Sequence, residues 1–130
     1  MKDPTREAVK QWLAKANSDR STIEILMASE QCPTEAVCFH CQQFVEKLLK
    51  GFLTLHNIEA PKTHDLRRLI QLASPLEPKL AELADASDDL TVHGVQSRYP
   101  GDFWQVETSE MQRLYELSEK FATILLPRLR

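Results

Sequence analysis

Glycine is scarce in this chain, with only three residues in 130. That scarcity disfavours turn-rich β architecture, while abundant Ala, Leu, Glu, Lys and Gln favour helices. No stretch approaches the ~20 apolar residues that a membrane-spanning helix needs. Met1 to Lys15 lacks the apolar core of a secretory signal. An excess of positive charge is missing too. Sixteen Lys and Arg stand against nineteen Asp and Glu, for a net charge of −3. This argues against a general nucleic-acid coat but leaves room for a local basic site. The three cysteines, Cys32, Cys38 and Cys41, are odd in number, so reduced thiols and a cytoplasmic location are expected.

A chain of this length is about one domain, expected to span residues 1–130. Folding would bury roughly two-thirds of the surface exposed when unfolded, so no disulfide or metal staple is required. Helical periodicity organises most of it. Asp3-Pro4 is an N-cap acid followed by proline at the first helical position, and Val9, Trp12, Leu13, Ala16, Ile23 and Leu26 recur at helical spacing up to Cys32-Pro33. Thr34 is expected to cap a second helix running to about His56. Its strip of Val37, Cys41, Phe44, Leu48, Phe52 and Leu55, widened by Cys38, Val45 and Leu49, marks it as the central helix. Thr63 is expected to cap a third helix with Asp65 in its first turn. Ser74-Pro75-Leu76-Glu77 and Ser109-Glu110-Met111-Gln112 resemble capping boxes opening a fourth and a last helix. Between them, Leu90 to Gln105 breaks the period and carries Gly94, Gly101 and three aromatics, a long connection of a kind that is often functional. The expected fold is an all-α, four- to five-helix up-and-down bundle.

Chemistry-bearing residues fall in three blocks. His40, Gln43, Lys47, Lys50 and Thr54 form one polar stripe on the second helix, a suitable lining for phosphate oxygens or simply a solvated face. Lys62, Thr63, His64 and Asp65 stand at a helix start, where free N–H groups favour anions and where plain capping selects the same residue types. Arg98 and Tyr99 sit in the long connection, able to fork onto a phosphate and stack on a base, or to pair with Asp102 and plug the bundle. Cys38 and Cys41 have C-x-x-C spacing but lie in the apolar arc with no second ligand pair. Core thiols are therefore expected, with no metal site and no cofactor.

Taken together, the Trp12–Asp19 helix, the run from Phe39 to Lys50, Pro61–Leu66 and Arg98–Asp102 resemble the HEPN family, named for nucleotide binding in higher eukaryotes and prokaryotes. The resemblance implies a bundle like the substrate-binding subunits that accompany nucleotidyltransferases. It also implies a homodimer around the central helices, with a polar groove near the interface. A separate small nucleotidyltransferase is an implied partner, as in toxin–antitoxin pairs; no membrane partner is expected, from the lack of a long apolar run. RNase members carry an R-x4-6-H pair, yet positions 33–35, 49–51, 57–59 and 86–88 hold no arginine ahead of the four histidines. The chain thus resembles the branch without that motif, and catalysis of that type is not expected. The leading expectation is a nucleotide- or phosphate-binding regulatory module. One alternative is an RNase or phosphotransfer enzyme using His40 or His64 with Lys47 or Arg98; another is a purely structural dimerisation domain.

Overall fold

A computed structural model describes residues 3–94 and 105–130. They form α1 (Pro4–Met27), α2 (Thr34–Leu55), α3 (Leu66–Ala73), a 3-10 segment (Pro78–Leu83), α4 (Ala84–Thr91) and α5 (Thr108–Leu129). There is no strand among the described residues. The architecture is an all-α bundle, and among the described residues no helix is long and apolar enough to cross a membrane.

Central placement of α2 follows from its composition. Thirteen of its 22 residues are buried, including Val37, Cys38, Cys41, Phe44, Leu48, Leu49 and Phe52. Such a helix is apolar over more than one face and needs neighbours on several sides. The long helices α1 and α5 supply most of them. The α1 helix runs antiparallel to α2: Trp12 meets Gly51, whereas Asp19 meets His40 and Lys47. The α5 helix runs parallel to it, because Val106 accepts a hydrogen bond from Thr34 while Leu129 lies beside Gly51. Between these ends, the 65–73 and 84–91 segments form an antiparallel pair on α2's remaining flank, tied by Leu66 N donating to Thr91 Oγ1 and by Arg67 donating to Asp85 and Asp88.

The cap at the start of α1 is the expected one, with Asp3 Oδ1 accepting from Thr5 N at 3.0 Å. At the end of α2, Asn57 adopts φ 59°, Asn57 N donates to Thr54 O and Ile58 N donates to Leu53 O. This left-handed cap turns the chain, which then climbs back along α2 until His64 O accepts from Gln42 Nε2.

Four expected starts differ in detail. Pro33 rather than Thr34 occupies the N-cap of α2, and the Thr34 hydroxyl reaches across to Val106 instead. Asp65, not Thr63, caps α3: its Oδ1 accepts from Arg67 N, while Thr63 Oγ1 accepts from Asp65 N one step earlier. Ser74 ends α3 rather than opening the next helix, and Glu77 pairs with Arg128 at 3.0 Å instead of folding back as a box. With Pro78 next, the chain proceeds as a 3-10 segment before α4 begins at Ala84. At α5, Glu107 is the N-cap residue and Ser109 lies inside the helix.

Candidate functional site on the polar stripe of the central helix

The α2 stripe is brought into two hydrogen-bonded clusters, each organised around a buried carboxylate. The first is Asp19 of α1. Its Oδ1 lies 2.8 Å from His40 Nδ1, and its Oδ2 accepts from Lys47 Nζ at 2.5 Å. The acid's side chain is 8 % exposed, while His40 and Lys47 are 23 % and 21 % exposed. A desolvated carboxylate of this kind needs its partners, since an unpaired buried charge is costly.

The second centre is Glu46, also on α2. Its Oε2 accepts from Lys50 Nζ at 3.0 Å, and its Oε1 faces both His64 Nδ1 at 2.8 Å and Gln42 Nε2 at 3.2 Å. Gln42 is fully buried against Gly94 and accepts in turn from Gln43 Nε2 at 2.7 Å. A Cβ at Gly94 would stand 3.0–3.2 Å from the Gln42 amide, so a small residue is needed there for this packing. His64 itself is 67 % exposed. Its ring is therefore anchored at one nitrogen and open to solvent elsewhere.

An ionised carboxylate can only accept, so each Nδ1 carries a proton, and Nε2 is a lone pair in the neutral ring or a second N–H in the charged one. Both imidazoles thus present a nitrogen that can take a proton, or give one once charged. The lysines are different. Each ammonium is already neutralised by its carboxylate, so the stripe is a set of ion pairs and oriented imidazoles rather than a bare row of cations.

The remaining expected residues sort cleanly. Gln43 joins the Glu46 cluster through Gln42. Lys62 is exposed and forms no ion pair among the described residues. Thr63 and Asp65 are occupied in shaping the start of α3. Arg98 and Tyr99 lie outside the described residues. Asp19, Gln42 and Glu46 were missed by reading the stripe alone. Asp19 nevertheless sits three residues after Ala16 and four before Ile23, an acid on a buried helical face. Gln42, Glu46 and Lys50 repeat at i, i+4, i+8, a spacing that stacks them on one helix face.

The C-x-x-C thiols are core groups. Burial pushes Cys38 up to about 12, helped by Glu110 and by the neighbouring thiol and acid at Cys32 and Glu35. Burial likewise raises Cys41 to about 12 against a hydrogen bond with Ser118. Neither is a thiolate at neutral pH, so neither is an activated nucleophile. Among the described residues no group of three His, Cys, Asp or Glu is placed to hold a metal.

The model of the HEPN domain matches residues 9–128, nearly the whole chain. The chain belongs to the HEPN domain family. No curated protein and no solved structure matches it. HEPN membership points to a nucleotide-related role, either RNase-like or regulatory. In this HEPN chain both carboxylate clusters lie within the matched residues, on α1, α2 and the turn before α3.

Proposed function

We propose that this HEPN chain is a nucleotide- or phosphate-binding regulatory module, working as a homodimer beside a separate small nucleotidyltransferase. One observation carries the reading. His40 and His64 are each held at Nδ1 by a buried carboxylate, at 2.8 Å in both cases, which leaves Nε2 for a ligand. A phosphate oxygen accepts from a charged imidazole in a strong, directional hydrogen bond. Lys62, exposed two residues before His64, adds an ammonium at the same turn. The dimer and the transferase partner rest on the family resemblance.

The test is thermal denaturation with and without a millimolar nucleoside triphosphate. A ligand that binds only the folded form stabilises it by about 2.7 kcal/mol at a hundred times its Kd. The melting temperature should rise in the wild type and the rise should be mostly lost in His64→Ala with Lys62→Ala, both exposed positions whose removal leaves Glu46 still held by Lys50 and Gln42. No rise with any nucleotide, alongside an unchanged dimer in light scattering, leaves the structural dimerisation reading instead.

A second reading is favoured by the same geometry. A carboxylate-oriented imidazole is the arrangement of a general acid or base, so RNA cleavage or phosphotransfer through His40 or His64 is the enzymatic alternative. Activity on RNA that falls in His40→Ala and in His64→Ala supports it. Equal background in all three proteins removes it.

A further inference from the structure

A sizeable cavity among the described residues lies away from the α2 stripe. It measures about 610 Å³ and lies where the start of α1 meets the ends of α2 and α5. That volume falls in the range of small-molecule sites. It shares no residue with the stripe. Its floor is apolar, made by Val9, Leu13, Leu55 and Leu129.

Its rim is cationic. Arg6, Lys10, Arg128 and Arg130 line it, four of the chain's sixteen Lys and Arg, on a protein whose net charge is −3. Asp3 is the single acidic side chain among the lining residues, and its Oδ1 already caps α1 by accepting from Thr5 N. Arg128 is steadied by Glu77 at 3.0 Å, and Lys10 makes a long 3.8 Å contact with Glu7. Arg6 forms no ion pair among the described residues. A concave site with a local excess of one sign concentrates ligands of the other. Arginine's planar fork suits the oxygens of a phosphate, and the aliphatic floor suits an apolar body attached to it.

We propose that this cavity is a second binding site, separate from the α2 stripe, for a small phosphate monoester carrying an apolar or aromatic body. The phosphate lies between Arg6, Lys10 and Arg128, and the body covers Val9, Leu13 and Leu55. Both halves of the ligand are needed, because the rim alone is solvated and the floor alone is shallow.

The experiment is a titration of the full chain with 1-naphthyl phosphate, followed by amide chemical shifts. Inorganic phosphate and 1-naphthol serve as the two half-ligands. The naphthyl ester should perturb the amides of Arg6, Val9, Leu55 and Leu129 and bind more tightly than either half. Arg6→Ala with Lys10→Ala removes two exposed cations from a helix that alanine favours, and should weaken binding roughly tenfold without unfolding the chain. A lipid could present the same chemistry, so vesicles of phosphatidylcholine with phosphatidic acid form a further arm. Capture by those vesicles without binding of the soluble ester overturns the proposal. Perturbation confined to His40, Lys47 and His64 does so as well, as does equal affinity in the double variant or no perturbation at millimolar ester.

Discussion

Asp19 places one buried carboxylate between two partners on another helix, and the consequences of removing it can be ranked. Asp19→Ala leaves Lys47, 21 % exposed, without its counter-ion, and strips His40 of the acceptor at Nδ1. Breaking a fully buried pair from one side costs about 3–5 kcal/mol, and partial exposure of the lysine reduces that. A loss of about 2 kcal/mol in urea denaturation is expected. Asp19→Asn keeps one acceptor oxygen and should lose less; Lys47→Met, which retains the aliphatic packing, should lose least. An Asp19→Ala protein as stable as wild type would mean that the α1–α2 contact does not depend on this cluster. The residue also shows where sequence reading stops. His40, Gln43, Lys47 and Lys50 announce themselves as a stripe, because residues on one helix have fixed relative angles. The acid that orients His40 comes from a different helix, 21 positions away, and no periodicity links the two.

At the scale of elements, Gly51 sets how closely α1 and α2 pack. A Cβ there would stand 3.1 Å from the Trp12 Cβ and 3.7 Å from the Leu129 methyls. Gly51→Ala gains about 1 kcal/mol of helix propensity. Against this, the Trp12 Cβ is fixed to the backbone and cannot rotate away, so α1 must shift as a body and disturb the Lys50–Trp12 and Asp19 contacts beside it. Overpacking typically costs about 1–3 kcal/mol, so the net expectation is a loss of roughly 1 kcal/mol in thermal or urea unfolding. A more stable Gly51→Ala would show that the helices separate freely. Element boundaries followed the same division between local and distant causes. The start of α1 at Asp3-Pro4 and the extent of α2 were legible, since an N-cap acid, a proline and a sustained apolar strip are local signals. The Ser74–Glu77 pattern was legible only as a false capping box. Glu77 is drawn to Arg128, 51 residues away, and Pro78 leaves the next turn as 3-10. Sequence spacing could not show that competing partner.

At the scale of the whole molecule, two fully buried thiols report on whether the bundle opens as one body. Cys38 and Cys41 sit on α2 with 0 % exposure, inside a core cluster that draws on α1 through α5. Both thiols are pushed from their ordinary 9.0 up to about 12, chiefly by burial. The sign of the linkage follows. Below pH 9 the folded and unfolded thiols are both protonated and contribute no pH dependence. Between pH 9 and 12 the unfolded chain releases protons that the folded chain keeps, so stability falls as pH rises, by roughly 1.4 kcal/mol per unit for each thiol. Tyr115, raised by burial and by Glu119, adds to the fall in the same direction. Urea midpoints measured from pH 8 to 10.5 should therefore decline, and the decline should be shallower in Cys38→Ala with Cys41→Ala. The same thiols can be followed kinetically at pH 8 with a disulfide reagent. Cys32, only partly buried, should react first. Cys38 and Cys41 should then react together at the rate of global unfolding, because no smaller opening exposes the buried face of α2 while α1 and α5 stay in place. Labelling of Cys38 or Cys41 as fast as that of Cys32 would mean that the N-terminal half of α2 opens without the rest, and that Asp19 and His40 are held together only part of the time.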